Sequence, residues 1–287
     1  MICVKIQGGQ GNQMFQYAVG RYLSLKNNCE LGYELSYFLG EKNRKYVLDI
    51  YSTVGVPVKK WWVLIYEKYK FLTSIMTIFF PIYKDRVPDF CDEIMTLNSK
   101  RAYLVGYWIK VSYFDSIKDI LKNDFKLKKD LSKNATDWVT RIRESKCPTV
   151  SIHVRRGDYV SCLQNKGIYR EMTIDYYQKC VAALEEKFGK LSIFVFSNDI
   201  KWAEKNLLFG NSDVFYVTGT DEDHGYEDMY MMWECEHHII ANSTFSWWGA
   251  YLAKKKGLTY APRYWFNMES HKDYIEKLYP DDWVVVD

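Results

Sequence analysis

The chain opens on a short alternation, Cys3-Val4-Lys5-Ile6, that predicts a strand. A glycine-rich turn follows at Gly8-Gly9-Gln10-Gly11-Asn12-Gln13, and apolar residues at helical spacing run from Met14 to Leu23. Strand, glycine turn and helix make the opening unit of a Rossmann-like layer. The rhythm returns later. Thr149–Val154 is an apolar strand entering the polar turn Arg155–Asp158, Tyr176–Phe188 has helical spacing, and Leu191–Phe196 is a second strand ending at Ser197-Asn198-Asp199. Val214–Val217 predicts a third strand, Tyr226–His238 a helix, Ile239-Ile240-Ala241 a fourth strand, and Trp247–Lys255 a helix. Alternating β and α elements predict an α/β protein with parallel sheets. The boundary between two domains is expected near Cys147-Pro148, giving an N-terminal domain 1–147 and a C-terminal domain 148–287.

Charge supports a division there. Of 39 Lys+Arg and 36 Asp+Glu, residues 1–147 hold 24 basic against 15 acidic side chains, a balance of +9, whereas 148–287 balance at −6. The basic half is too dilute to read as a nucleic-acid binder. Composition excludes disorder and low complexity, with 48% hydrophobic residues over 287 positions. Aromatic residues are abundant, with 10 Trp, 24 Tyr and 15 Phe; flat amphipathic rings are common in cores and also line sugar and nucleotide sites, so the excess alone decides nothing. Seven cysteines (Cys3, Cys29, Cys91, Cys147, Cys162, Cys180, Cys235) without a C-x-x-C pair read as free thiols in a reducing compartment. No signal-peptide pattern stands at the start, and the longest apolar run, Phe71–Ile82, is broken by Pro81 and too short to span a bilayer. A cytoplasmic protein is expected. The segment 59–83, with Trp61, Trp62, Lys59, Lys60, Lys68 and Lys70, reads either as a helix covering a sheet or as a basic, aromatic face docked peripherally on an anionic membrane.

In a parallel sheet, ligands sit beyond the C-terminal strand ends, which makes polar residues there the best candidates. Three clusters qualify. His153-Val154-Arg155-Arg156-Gly157-Asp158 brings two guanidinium forks to one strand end, suited to bidentate contacts with phosphate. Asn242-Ser243-Thr244-Phe245-Ser246 leads from a strand into a helix, and reads as an anion site or as an ordinary N-cap. Ser197-Asn198-Asp199 offers a carboxylate able to accept both guanine N1 and N2 hydrogens, or a capping turn. The Gly8–Gln13 turn fails as a dinucleotide fingerprint, with Met14 where the third glycine belongs, and fails as a P-loop for want of Gly-Lys-Ser/Thr. Asp221-Glu222-Asp223, with His224 nearby, imitates a D-x-D metal site, but no apolar strand leads into it, and it reads as a solvated loop. His237 and His238 are adjacent, diverge by about 100° on a helix, and cannot both hold one ion there.

The four blocks Gly9-Gln10-Gly11-Asn12-Gln13-Met14-Phe15-Gln16-Tyr17-Ala18, His153–Asp158, Phe194–Asp199 and Ile239–Ala250 stand in one order along the chain. In that order they resemble the bacterial inverting α-1,2-fucosyltransferases of glycosyltransferase family 11. The resemblance implies a GT-B fold, two Rossmann-like domains facing across a cleft, with an acceptor-side domain first and a GDP-fucose domain second. It also implies transfer of L-fucose from GDP-β-L-fucose to the 2-hydroxyl of a terminal β-galactose, in surface polysaccharide or O-antigen synthesis, without a metal or other cofactor. The expected partners are GDP-fucose and a galactose-terminated oligosaccharide, lipid-linked or free, and no nucleic acid.

By the same resemblance Arg155, Asp158 and Asn12 are the catalytic candidates. Donor binding falls to His153, Arg155, Arg156, Asp199, Ser243, Thr244, Phe245, Gly11, Asn12 and Gln13. Gln10 departs from the apolar residue that usually stands at its place in the family motif. The general base stays open: Asp158, an acidic residue of the first half, and a leaving-group oxygen all qualify. Another GDP-fucose-dependent enzyme making an α-1,6 or O-linkage, and a non-catalytic carbohydrate-binding protein, are the alternatives.

Overall fold

The computed structural model describes residues 1–41, 44–58, 80–86, 89–156, 170–220, 222–267 and 277–287. It divides into two compact units, Met1–Lys129 and Asp130–Asp287.

The first unit is built on five parallel strands in the order β3-β2-β1-β5-β4, formed by β1 (Ile2–Lys5), β2 (Leu31–Glu34), β3 (Val56–Pro57), β4 (Ile82–Lys84) and β5 (Ala102–Val105). Strand β1 lies at the centre, with Ile2 and Val4 buried on one face and Cys3 on the other, as a strand covered on both faces requires. Helix α1 (Gln10–Lys26) buries Met14, Phe15, Tyr17, Ala18, Val19 and Leu23. It begins four residues before the apolar spacing announces it, because the extended Gly9 (φ −76°, ψ 174°) is already its N-cap. Among its described residues the other α-helical segments are a single turn α2 (Tyr37–Gly40) and helix α3 (Lys118–Asp124).

The second unit carries six parallel strands in the order β11-β10-β9-β6-β7-β8: β6 (Thr149–Val154), β7 (Ser192–Ser197), β8 (Asp213–Tyr216), β9 (His237–Ile239), β10 (Thr259–Pro262) and β11 (Val284–Val286). Among its described residues the α-helices are α4 (Lys133–Arg143), α5 (Ile174–Phe188), α6 (Ile200–Asn206), α7 (Gly225–Glu234) and α8 (Thr244–Tyr251). Side-chain alternation along β7 builds two cores. Ile193 and Val195 meet Tyr177, Val181 and Leu184 of α5, while Phe194 and Phe196 meet Ala135, Val139 and Ile142 of α4 and Met231 and Met232 of α7. This packing corrects the expected boundary at 147/148. Helix α4 belongs to the second unit because its apolar stripe has no other cover, and Ser132 ahead of it hydrogen-bonds the buried Glu227 carboxylate through its N–H (2.6 Å) and its hydroxyl (2.9 Å).

One element changes type. The helix expected to run to His238 stops at Glu234, and His237 and His238 lie in β9, paired with Val150 and Ser151 of β6. Successive strand residues point to opposite faces, so the two imidazoles part by a different route from the one the helical reading supposed. His237 stacks on Phe188 (4.5 Å) and accepts the Leu258 N–H at Nδ1 (2.9 Å), while His238 Nδ1 shares a hydrogen bond with Ser151 Oγ (2.7 Å).

Among the described residues no helix is long and apolar enough to cross a membrane, and no group of three metal-ligating side chains converges. Of the proposed interfacial segment, 59–79 lies outside the described residues, and Ile82-Tyr83 belong to β4. Cys3, Cys29, Cys91, Cys147, Cys180 and Cys235 are free thiols; Cys162 lies outside the described residues.

Candidate active site

In the second unit β6 and β7 end together, with Val154 beside Ser197, and each runs into one of the predicted clusters. Past β6, the Arg156 N–H donates to Asn198 Oδ1 (3.0 Å), stitching the arginine turn to the turn after β7. The Arg156 guanidinium lies over the Trp202 ring, 3.9 Å from its centroid. It pairs with Glu171 through Nη1 and stands 3.9 Å from Asp199 Oδ2 through Nε, which is buried without a hydrogen bond. A guanidinium held over an indole and flanked by carboxylates is fixed in orientation, as a fork that must meet a diphosphate needs to be. Arg155, half-buried at the same strand end, puts its charge close enough to His153 to act on that ring.

Asp199 fills the capping role the sequence offered, and its second oxygen faces the arginine turn. Its Oδ1 caps α6 by accepting the Trp202 N–H (3.2 Å), and its Oδ2 stands toward Arg156 on a side chain 44% exposed. Ser243 is buried and caps α8, accepting the Phe245 N–H at 3.3 Å. Thr244 and Phe245 are half-exposed at the first positions of α8. The Phe245 ring lies 5.5 Å from that of His153, so the start of α8 adjoins the end of β6. His153, Arg155, Arg156, Asp199, Ser243, Thr244 and Phe245 are thus gathered at one edge of one sheet, where cationic forks and the positive end of a helix favour an anion. Asp158 lies outside the described residues, as does Asp221; Glu222–His224 form a single 3-10 turn.

Several residues on this edge carried no signal in the sequence. Glu171 and Trp202 lie 15 and 46 positions from Arg156 in the chain, and Tyr177 donates its hydroxyl to the His153 carbonyl (3.1 Å). Trp202 was legible only as the third residue after a capping Asp199. Asn242, inside a predicted cluster, proves to be a staple: wholly buried, its amide donates to the Arg170 carbonyl (2.7 Å) and the Trp265 carbonyl (2.9 Å).

The first-unit motif separates by role. Gln13, expected at the donor, is wholly buried. Its amide donates to the Gly8 carbonyl (3.0 Å) and the Lys45 carbonyl (2.8 Å) and accepts the Val47 N–H (2.9 Å), so it fastens the 45–47 loop and has no face left for a ligand. Gly11 is buried inside the first turn of α1. Asn12 alone of the three is half-exposed, folded over Gly8. There a Cβ would come within 2.7 Å of the Asn12 amide nitrogen, and φ is +78°, conditions that only glycine meets without strain.

Two of the three imidazoles in the sheet, those of His153 and His238, are held neutral. Burial, and then the charge of Arg155, push His153 down to about 3; burial, and then His237, push His238 to about 3. His153 therefore contributes a neutral ring, not a third cation. Both folded-state values lie below the ordinary 6.5, so as pH falls the unfolded chain takes up these protons first. The stability they confer is complete above about pH 6.5 and is lost as pH falls toward 3. The urea midpoint is expected to drop steadily between pH 6.5 and 4, and His238→Asn, which keeps a polar atom for Ser151, to flatten that slope. A wild-type midpoint independent of pH over this range contradicts it.

The family model described as glycosyl transferase family 11 matches residues 1–287. An α-1,2-colitosyltransferase of Escherichia coli is 31% identical over 296 residues, covering 100% of this chain and 99% of its own. The O-antigen biosynthesis glycosyltransferase WbnK of the same species is 30% identical, covering 97% and 98%. Among solved structures, the NodZ α-1,6-fucosyltransferase soaked with GDP-fucose is similar at a TM-score of 0.51 and 14% identity, covering 88% of this chain and 92% of that one; the likeness is one of fold, the GT-B type. With a whole-length family match and two relatives of the same length, the chain belongs to glycosyl transferase family 11.

Proposed function

We propose that the protein is an inverting galactoside α-1,2-fucosyltransferase, moving L-fucose from GDP-β-L-fucose to the 2-hydroxyl of a terminal β-galactose on a surface glycan. The observation that carries the reading is the gathering of Arg155, Arg156, Asp199 and the start of α8 at one strand edge, with the Arg156 guanidinium held over the Trp202 ring. In the reaction the galactose oxygen attacks the anomeric carbon from the face opposite GDP. The bond from that carbon to the β-phosphate oxygen breaks, and β becomes α. The sugar passes through an oxocarbenium-like state while negative charge grows on the departing diphosphate. Arg155 and Arg156 meet that charge with hydrogen bonds already oriented, the largest single contribution expected of such a site. Thr244 and the exposed N–H groups at the start of α8 take the remaining phosphate oxygens. Asp199 reads the guanine edge, and Phe245 lies against the nucleoside. The proton of the attacking hydroxyl goes to a carboxylate, Asp158 or an acidic residue of the first unit, or late in the reaction to a phosphate oxygen.

The α-1,2 linkage of the colitosyltransferase relative and the GDP-fucose soaked into the NodZ crystal support this reading, together with the four motif blocks. The colitosyl relative also supports a second donor, since colitose is L-fucose lacking the 3-hydroxyl. Purified protein is therefore incubated with GDP-fucose and, in parallel, GDP-colitose, over a panel of β-galactosides, with chelator present. NMR of the product is expected to give a fucosyl α-1,2-galactose linkage formed without metal. Transfer of colitose alone gives the donor to the second reading, and absence of transfer from either donor sinks both.

A further inference from the structure

Strand β5 neighbours β1, so the residues after Val105 share a sheet edge with the Gly8–Asn12 turn. Here the backbone is unusual. Gly106 has φ +148° and Trp108 φ +60°; among the described residues the only other non-glycine in that region is Asn28, a residue type that tolerates it. A bulky indole in the left-handed region persists only where its surroundings impose it, and such strain concentrates at functional sites. The imposition is visible. The Trp108 N–H donates to Asp85 Oδ2 (2.9 Å), Asp85 Oδ1 accepts from Tyr113 (3.3 Å), and the Trp108 ring packs edge-on to Tyr113 at 5.8 Å. On the other side, the Gly106 carbonyl accepts from Gln16 (3.1 Å), and a Cβ on Gly106 would meet the Asp85 carbonyl oxygen at 2.5 Å.

Tyr107 stands between these clamps. Trp108 is 0%, Ile109 8% and Lys110 9% exposed, whereas Tyr107 is 40% exposed. The fold fixes both of its neighbours and leaves its ring outside. Tyr37 lies nearby: its phenol is raised by burial first, then by Glu41, to which it donates at 3.3 Å, and more weakly by Tyr107. An outward ring close to a tyrosine–carboxylate pair matches a pyranose, which presents one face of C–H groups and a rim of hydroxyls. Aromatic rings take the C–H face and carboxylates accept from hydroxyls. Among common hexoses β-galactose offers such a face most fully, because its axial 4-hydroxyl leaves C3, C4 and C5 hydrogens together on the other side.

We propose that Tyr107 is the stacking platform for the terminal β-galactose of the acceptor, aimed by the strained Gly106–Trp108 turn that Asp85 and Gln16 hold. The proposal rests on the galactoside reading above. Its test is saturation-transfer NMR of N-acetyllactosamine on the GDP-loaded protein, which requires no turnover. Wild type is expected to pass saturation to galactose H3, H4 and H5. Tyr107→Ala should lose at least fivefold of that signal and raise the acceptor KM at least tenfold, with GDP affinity unchanged by calorimetry, and Tyr107→Phe should keep both. Tyr107→Leu replaces the alanine variant if the latter does not bind GDP. Equal saturation in wild type and in the non-aromatic variant overturns the proposal, and so does a wild type that passes no saturation to galactose. Galactose saturation without fucosyl or colitosyl transfer instead sinks the activity and leaves the platform standing.

Discussion

Arg155→Ala is expected to lower kcat for fucosyl transfer by about 10²- to 10³-fold, the cost seen when one preorganised donor to a developing anion is removed. The side chain is half-buried at the end of β6, and no part of either core depends on it, so the thermal midpoint should move little. Affinity for intact GDP-fucose should weaken by a smaller factor than kcat, because charge on the diphosphate is greater as it leaves than in the bound donor. Arg156→Lys separates position from charge. A lysine keeps the cation but loses the fork and the contact with Trp202, so activity should remain well below wild type. Steady-state kinetics alongside calorimetry with GDP-fucose in the absence of acceptor read both effects. A folded Arg155→Ala protein with near-normal kcat refutes the assignment.

The second large effect falls on stability. Trp247 is wholly buried, donates its indole N–H to the Leu278 carbonyl (2.9 Å), and packs against Trp248 at 5.0 Å, Tyr251 at 4.5 Å and Trp283 at 5.5 Å. Trp247→Ala removes a large ring from a site walled by other rings, which cannot collapse to fill the space, and strands a buried carbonyl. A loss of about 3–5 kcal/mol is expected, read as a lower urea midpoint. Trp247→Phe, which keeps most of the volume, should lose clearly less. A Trp247→Ala midpoint equal to wild type would mean that the C-terminal segment does not depend on this anchor.

That result bears on how the motif around it is read. Ser243, Thr244 and Phe245 stand at the ligand-competent edge of the second sheet, while Trp247 and Trp248, four residues on, are core. A continuous run of distinctive residues thus splits between site and core at a helix start, because only the first turn of α8 has N–H groups to offer. The same split occurs in the Gly9–Ala18 block, where Asn12 is half-exposed and Gln13 and Gln16 are buried amides spent on backbone. A motif of polar residues therefore overstates the number of contacts with substrate.

Periodicity by itself determined the parallel α/β plan, the strands β1, β6, β7 and β8 to within about a residue, and the strand-end places of the arginines, Asp199 and Ser243, because these follow from local alternation and from where parallel strands end. It put the domain boundary 18 residues late and made a helix of the His237–His238 strand. Both errors are tertiary in origin: α4 is assigned by what its apolar stripe packs against, and two histidines enter a strand only once Ser151, Leu258 and Phe188 satisfy them. Only the folded chain could join Arg156 to Trp202 and Glu171, neutralise His153 by burial, and show Tyr107 held outward on a strained turn. Each of those depends on side chains far apart in sequence meeting across a sheet edge, or on water being excluded from a ring, and neither is written in the spacing of residues along the chain.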